Sequence, residues 1–385
     1  MAGYLALKEI WRMRGRYILF SSVIALITML VLFVAALAEG LGAGNREYLQ
    51  KLNGDLIVYQ NNVDLNIGAS QLGATVSAEV RRLPGVVAAG PIGFANATLV
   101  LPDGRKPLGV ALIGVLPGQP GEPPVTTGTG LRNRRDNEAI IDRQVALRTG
   151  LRAGDTLTVK SIQGAKEQYY PLKVVGVSDN RQYSLQPSVI VPDRTWDEIR
   201  SQAIVGGKPD GEFVANVIAV KVEDPRYSAE VAKAIGSNIR DVVAVDRVTA
   251  YEATPGYSAQ QSTLNTQKYF ALIIGVLVIG GFFQILTLQK VAQIGMLKAI
   301  GAPNLTVGLA AIIQIICVTA AGVGMGAAAT LLLSLGFPKT IPIVFSADAV
   351  LTAILSLLLI GPIGGLVSVR YALKVEPLTA LGLAS

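Results

Sequence analysis

Few side chains in this 385-residue chain could perform acid–base, nucleophilic or metal chemistry. There is no histidine, and the single cysteine is Cys317. Histidine-based catalytic triads, histidine metal sites and histidine ligation of haem are therefore excluded. One cysteine cannot form an internal disulfide, and we expect Cys317 to pack as a small apolar residue. Because no nucleophile lies beside a recognisable base, we expect neither enzymatic activity nor a metal site in this chain.

Nucleotide and nucleic-acid binding also lack a sequence signature. The chain has no G-x-x-x-x-G-K-[ST] segment, the loop that binds ATP phosphates, so we expect it not to hydrolyse ATP. The formal net charge of +7 could indicate a nucleic-acid partner. The basic residues are scattered, however, and no aromatic–basic recognition motif is present. Contact with a membrane surface explains the charge better.

Three polar side chains lie close to the ends of long apolar stretches: Glu39, Tyr48 and Tyr269. If those stretches cross a membrane, a carboxylate at the boundary is costly enough to suggest a function. We therefore take these three residues as candidates for substrate contact. The alternative, that Glu39 only marks where a helix meets water, stays open.

The apolar stretches are long enough to cross a bilayer. Hydrophobic residues make up 51% of the chain and charged residues only 16%, against about 25% in soluble proteins. Roughly 20 apolar residues span a hydrocarbon core of about 30 Å. Helices of a soluble core seldom run so long without a charged face. The uncharged windows are residues 17–38, 269–289, 299–338 and 349–369.

Two of these windows contain a feature that needs its own interpretation. Ala36-Leu37-Ala38 resembles a signal-peptidase site, but the preceding apolar run exceeds the usual core of about 7–15 residues, so we expect no cleavage. Gly301-Ala302-Pro303-Asn304 breaks the third window near its start, which leaves a span of about 307–335.

The charges beside the spans predict the orientation, since lysine and arginine accumulate on the cytoplasmic side. Both termini and the link between the second and third spans are placed in the cytoplasm, and residues 40–268 outside. The cytoplasmic basic residues are Lys8, Arg12, Arg14, Arg16, Lys290, Lys298, Arg370 and Lys374, opposed there by Glu9. The opposite short link carries only Lys339 and Asp348.

The outer segment has the pattern of a folded α/β domain. Residues 98–101 and 110–115 form a predicted hairpin around Pro102-Asp103-Gly104, and strands are also predicted at 156–160, 172–177, 188–191 and 214–222. Two helix–strand units start near Ser77 and Ser228, where each serine is expected to cap the helix. They predict one α/β lobe built from both ends of the domain. Residues 96–192 would form a second, strand-rich lobe, in which 117–137 is an exposed loop.

The second cytoplasmic link contains the most informative motif, QIGMLKAIGA at residues 293–302. Its apolar residues fall on one face of a short helix that Gly301 and Pro303 end. On the pattern alone, a helix resting passively at the lipid headgroups is an open alternative. The residues predicted to couple to a partner are Gln293, Ile294, Gly295, Met296, Leu297, Lys298, Ile300 and Gly301.

This link resembles the coupling segment of the MacB/FtsX-type ABC transporter permeases, and three further segments resemble the same family. Gln293 followed by Ile-Gly is similar to the branch of haem-exporter (HrtB-like) and DevC-like permeases. The further segments are Leu7-Lys8-Glu9-Ile10 with Arg14-Gly15-Arg16, Glu138-Ala139-Ile140-Ile141-Asp142 with 150–155, and the closing 370–377.

The resemblance implies an α-helical membrane protein with four transmembrane helices and an α+β extracytoplasmic domain like that of MacB. It also implies a homodimer in the inner (cytoplasmic) membrane, driven by a separate dimer of ABC ATPases that hold ATP and magnesium, with no cofactor in this chain. ATPase closure would be transmitted through the spans to the outer domain, which is called mechanotransmission.

The predicted boundaries follow from the windows and the resemblance. They are 1–16 for a cytoplasmic amphipathic segment, 17–42 (TM1), 43–268 for the extracytoplasmic domain, 269–289 (TM2), 290–304 for the coupling segment, 305–335 (TM3), 336–347 for a short outer loop, 348–369 (TM4) and 370–385 for a cytoplasmic tail.

Polar and small residues inside the spans predict helix contacts. Gln284 and Gln314 are expected to form hydrogen bonds between helices rather than to touch substrate. Two GxxxG patterns, Gly322 to Gly326 and Gly361 to Gly365, suit close helix packing, although ordinary glycine use in membrane helices explains them equally well.

Two functions of different classes agree with these features. The first is export of a hydrophobic or amphipathic compound, with haem as a candidate substrate. The second is an FtsX-like regulatory subunit that transports nothing and acts on an envelope hydrolase or sensor outside the cell. Without histidine, haem would need tyrosine, methionine or a carboxylate.

Overall fold

The computed structural model describes residues 2–101, 105–201, 213–336 and 343–374. The predicted turn Pro102-Asp103-Gly104, Lys339 in the short outer loop, and the tail from Val375 lie outside the described residues. The chain divides into two units. Met1–Gly40 and Gln261–Ser385 form one, here called the membrane unit, and Leu41–Gln260 form the other, here called the outer domain.

Along the chain, two helices come first, a region of strands and short helices follows, and four helices come last. The helices are α1 (Ala2–Arg12), α2 (Arg14–Gln50), α3 (Ala74–Arg81), α4 (Arg143–Thr149), α5 (Asp193–Ile199), α6 (Ser228–Asn238), α7 (Arg247–Glu252), α8 (Tyr257–Gln289), α9 (Val291–Ala299), α10 (Asn304–Ser334) and α11 (Ala347–Lys374). The strands are β1 (Leu56–Gln60), β2 (Val86–Val100), β3 (Leu108–Val115), β4 (Val125–Gly128), β5 (Glu138–Ile141), β6 (Thr156–Gln163), β7 (Lys166–Ser178), β8 (Ser188–Pro192), β9 (Val217–Val222) and β10 (Val242–Asp246).

Four described helices are long and apolar enough to cross a membrane: α2, α8, α10 and α11. This confirms the four predicted spans. The helices α2 and α8 are longer than their apolar windows, since α2 continues to Gln50 and α8 begins at Tyr257. The windows mark where the side chains become polar, and neither junction carries a proline or a cap that would end a helix there.

Glycines allow the membrane helices to pack closely within one chain. A methyl group added at Gly322 would lie 2.6 Å from the Ile24 side chain, and one at Gly326 would lie 2.5 Å from the Ala25 carbonyl oxygen, so α10 packs tightly against α2. A methyl group at Gly361 would lie 2.2 Å from Thr319 Oγ1, which places α11 equally close to α10. The GxxxG patterns therefore serve packing inside the chain.

The two ends of the outer domain build one antiparallel lobe. Its strands lie in the order β10-β1-β9-β2, with α3 following β1 and α6 following β9. This is the split βαβ arrangement of ferredoxin-like folds. The central strand β1 is buried on both faces because Leu56 and Val58 pack in one core while Ile57 and Tyr59 pack in another. The predicted terminal lobe is confirmed.

The middle of the outer domain forms a closed ring of strands. The pairings β2–β3, β3–β8, β8–β5, β5–β7, β7–β6 and β6–β2 return to their starting point. The core contains alternate residues of these strands, such as Leu99, Leu112, Ile141 and Val159. Because the long strand β2 takes part in both lobes, they share one sheet of ten strands.

Two buried carboxylates fix the connections of this ring. Asp142 caps α4, and its carboxylate accepts from the Val145 amide (2.7 Å) and the Ser188 amide (3.0 Å). Burial raises the pKa of Asp142 to about 7, although these hydrogen bonds alone would lower it. Asp193, fully buried at the start of α5, accepts from Arg134 Nη2 at 2.5 Å. The Arg134 guanidinium is the charge that compensates it.

Three local predictions for the outer domain are wrong. Ser77 lies inside α3 and donates to the Ala74 carbonyl, because that helix begins earlier, after Gly73. Ser228 is the first residue of α6 and donates to the Pro225 carbonyl, because a short 3-10 turn precedes the helix. The region 117–137 is not simply an exposed loop, since it contains β4 and Leu131 is buried in the core.

Candidate coupling site in the membrane unit

The short helix α9 lies between α8 and α10, inside the predicted coupling segment. Its end is formed by a Schellman motif, in which the Ala302 amide donates to the Leu297 carbonyl and the Gly301 amide to the Lys298 carbonyl. Gly301 has a φ of +96°, a conformation that residues with a Cβ rarely adopt. Pro303 follows and occupies the N-cap position of α10. The glycine and the proline therefore fix both the length of α9 and its turn into the next span.

The apolar residues of α9 fall into two groups. Met296 is 55% exposed and Ile300, at the helix end, is 80% exposed, so both are free to contact a partner. Ile294 is half-buried and, with Leu297, lines a cavity of about 100 Å³ inside the membrane unit. The single apolar face predicted from the sequence is therefore divided: Met296 and Ile300 point outward, Ile294 faces the membrane unit, and Leu297 lines the cavity while remaining 38% exposed.

A cluster of polar and charged side chains holds the start of α9. Lys290 Nζ lies 2.5 Å from a carboxylate oxygen of Glu9 on α1 and donates to the Tyr17 hydroxyl of α2 at 2.9 Å. Gln314 of α10 donates to the other Glu9 oxygen at 2.5 Å and accepts from the Tyr17 hydroxyl at 3.2 Å. We call Glu9, Tyr17, Lys290 and Gln314 the Lys290 cluster. It joins α1, α2 and α10 to the residue that precedes α9.

Two further hydrogen bonds fix neighbouring parts of the link. Arg16 Nη1 donates to Gln289 Oε1 at 2.8 Å, which joins the start of α2 to the end of α8. Lys298 Nζ donates to the Leu373 carbonyl at 2.8 Å, which joins α9 to the end of α11. A displacement of α9 must therefore strain contacts to α1, α2, α10 and α11.

Sequence reasoning found Gln314 but not its partners. The prediction that Gln314 bonds between helices is confirmed. Gln284, by contrast, is exposed and has no hydrogen-bond partner among the described residues. The sequence indicates Glu9 and Lys290 only as charges that flank spans. Their pairing could have been predicted, because each carries a charge at the edge of an apolar helix, where a charge is most stable when it has a partner.

The substrate candidates lie in different environments. Tyr48 is fully buried in the core of the outer domain, where its hydroxyl donates to the Gly121 carbonyl and its ring packs edge-on against Phe94. This gives Tyr48 a packing role instead of substrate contact. Tyr269 is 65% exposed on α8, and Glu39 is half-buried on α2. Only Glu39 and Tyr269 are therefore kept as candidates for substrate contact.

Cys317 does not pack in the interior as expected. It is exposed on the surface of α10. Among the residues that the structure describes, no group of three or more histidine, cysteine, aspartate or glutamate side chains could hold a metal ion.

These features define a class of membrane protein: a multi-pass permease with one span before a large α/β domain, three after it, and a short helix between the second and third. Residues 18–238 match the MacB-like periplasmic core domain, and residues 269–377 match the FtsX-like permease C-terminal domain. The chain belongs to the family of ABC transporter permeases that carry these two domains. The predicted family is confirmed.

Named relatives agree with this assignment. The chain is 27% identical to a putative hemin transport system permease protein HrtB of Staphylococcus haemolyticus, over 98% of this chain and 99% of the relative. It is 24% identical to an uncharacterized ABC transporter permease of Mycobacterium bovis with the same coverage. The crystal structure of the periplasmic region of MacB from Actinobacillus actinomycetemcomitans is 15% identical, covers 53% of this chain and 94% of that chain, and has a TM-score of 0.36.

Proposed function

We propose that the chain is the permease subunit of an ATP-driven exporter of a hydrophobic or amphipathic compound in the inner (cytoplasmic) membrane. The observation that carries the proposal is α9, which exposes Met296 and Ile300 and is joined by the Lys290 cluster to three other helices. A partner that displaces α9 would therefore also displace the spans joined to it. The relatives named as hemin transport permeases make haem the first substrate to test.

The energy for export must come from a second protein, because the sequence contains no phosphate-binding loop. We infer a dimer of ABC ATPases bound beneath two copies of this permease, with ATP and magnesium held by the ATPases. Exposed apolar side chains on a short helix suit insertion into a groove of such a partner. Work delivered to α9 would reach α1, α2 and α10 through Lys290 and the outer domain through α2 and α8, which is the mechanotransmission proposal.

Ile300 tests ATPase docking more directly than Leu297, because a substitution at Leu297 would also disturb the cavity that this residue lines. We expect Ile300→Asp to lower ATPase affinity by about 100-fold, since an unpaired carboxylate buried at an interface costs several kcal/mol. Co-purification of the ATPase measures this loss. The matched control is Val248→Asp, which puts the same charge on an exposed apolar residue of the outer domain. Normal ATPase binding by Ile300→Asp would refute the docking surface.

Transport is tested with the reconstituted permease–ATPase complex. We expect haem, or another amphipathic compound in the panel, to stimulate ATP hydrolysis several-fold, and Ile300→Asp to abolish that stimulation. A complex that hydrolyses ATP without response to any compound, but whose outer domain binds an envelope protein, would instead support the regulatory function.

A further inference from the structure

A groove on the surface of the membrane unit has a cation at one end and apolar walls along its length. Its volume is about 210 Å³, and it lies between the start of α2 and the middle of α10. Arg14 lies at the basic end, and the walls include Ile18, Ser21, Cys317, Ala321 and Met325. Ile18 is 60% exposed and Met325 is 43% exposed, so the groove opens onto the surface.

The groove follows two helices that run in the same direction. The Tyr17 hydroxyl donates to Gln314 at 3.2 Å, and one turn further Ser21 Oγ donates to the Val318 carbonyl at 3.3 Å, so both helices advance in register. Arg14 precedes Tyr17 by three residues, and Met325 follows Gln314 by eleven. At about 1.5 Å per residue the groove is roughly 20 Å long, comparable to an extended acyl chain.

The charge at the basic end has no partner among the residues that the structure describes. Arg14 is exposed and has no ion pair or hydrogen bond to any described residue. The two hydroxyl groups on the walls are already engaged, since Ser21 Oγ donates to the Val318 carbonyl and the Tyr17 hydroxyl donates to Gln314. The groove thus offers one free guanidinium and otherwise apolar surface, in a unit whose exposed helices face lipid. Basic pockets between membrane helices suit anionic headgroups.

We propose that this groove binds one anionic phospholipid. The lipid phosphate pairs with Arg14, and one acyl chain lies along α2 and α10 past Cys317 to Met325. The site requires only the membrane location and not the transport function proposed above. Tyr17 connects it to the coupling site, because its side chain lines the groove while its hydroxyl binds Lys290 and Gln314.

Native mass spectrometry of the full-length permease in mild detergent tests the site. The protein is titrated with dioleoylphosphatidylglycerol or with dioleoylphosphatidylcholine, and bound lipids are counted. We expect a first phosphatidylglycerol to bind at least tenfold more tightly than phosphatidylcholine, since a charge-assisted pair favours it. Arg14→Gln should remove that preference. Arg12→Gln removes an exposed cation two residues away that does not line the groove, and it should keep the preference.

A second variant tests the apolar part of the site. Ala321→Phe fills the groove without changing charge, and it should weaken binding of both lipids. If that variant is misfolded by circular dichroism, Cys317→Phe fills the groove from the neighbouring turn. If Arg12→Gln and Arg14→Gln lose the preference for phosphatidylglycerol equally, the site is overturned, because the preference then comes from general attraction between basic residues and anionic lipid. Unchanged lipid binding in the filled variant would also overturn it, and an altered dimer fraction there would assign the groove to a second copy of the chain.

Discussion

Replacing Lys290 by methionine tests whether the Lys290 cluster holds α9 to the rest of the membrane unit. Only 12% of the Lys290 side chain and 27% of the Glu9 side chain are exposed. Removing the ammonium group leaves the Glu9 carboxylate with the Gln314 amide as its remaining partner in the cluster. Breaking a fully buried ion pair costs about 3–5 kcal/mol, and the partial exposure of Glu9 lowers the expected loss to about 2–3 kcal/mol.

The double variant Glu9→Gln, Lys290→Met separates loss of the pair from loss of packing. It removes both charges, so no buried carboxylate remains, and we expect it to regain at least half of the lost stability. Lys8→Met is the charge control, because Lys8 lies on α1 beside Glu9 and its ammonium group lies over the Tyr4 ring, outside the Lys290 cluster. We expect its effect to stay below about 0.5 kcal/mol.

Two measurements report the outcome in detergent-solubilised protein. Thermal unfolding ranks the unmodified protein, Lys290→Met, the double variant and Lys8→Met by their midpoint temperatures. Hydrogen exchange follows the amides of α1 directly, because α1 carries Glu9, which loses its charged partner in Lys290→Met. We expect α1 to exchange faster in the single variant and to recover in the double variant. If the double variant is as unstable as Lys290→Met, or if α1 exchange does not change, the cluster does not hold the helices together.

Three further predictions concern packing and buried charge. Gly326→Ala should destabilise the membrane unit by about 1–3 kcal/mol through overpacking, whereas Gly324→Ala, where an added methyl group meets open space, should be nearly neutral in thermal unfolding. Burial raises the pKa of Asp142 to about 7, so the stability that this group contributes is lost as pH rises through 7. The free energy of unfolding of the outer domain should therefore increase by on the order of 2 kcal/mol when the pH is lowered from 9 to 5. Asp142→Asn should flatten that dependence in hydrogen exchange of β5 and β8, and an unchanged slope would contradict the assignment. Arg134→Ala leaves the buried Asp193 carboxylate unpaired and should lower the free energy of unfolding in urea by about 3 kcal/mol. The adjacent substitution Arg135→Ala should change it little.

The membrane part of the fold follows from the sequence because its cause is local. A run of about 20 residues without charge can be stable in lipid only as a helix, whatever its neighbours are. The end of α9 is local as well, since Gly301 permits the left-handed conformation that ends the helix and Pro303 cannot continue it. The same reasoning could not locate the ends of α2 and α8, because polar residues neither require nor forbid a helix.

The division of the outer domain into two lobes was predictable from its repeated helix–strand units, but their union in one sheet was not. Strand β2 pairs with β9 at one end and with β3 and β6 at the other. Which strands pair is decided by contacts between residues more than 100 positions apart, as with Pro91 and Ile218. No local pattern encodes such a contact.

The candidate site shows the same division between sequence and tertiary structure. The sequence by itself determined that residues 293–301 form a short apolar element between two spans, because periodicity and the glycine define it. Only the tertiary structure decided that Ile294 faces inward while Met296 and Ile300 face outward. Only the tertiary structure brought Glu9, Tyr17 and Gln314 to Lys290. A charge at a membrane boundary must find a partner, but which residue becomes that partner depends on how the helices pack.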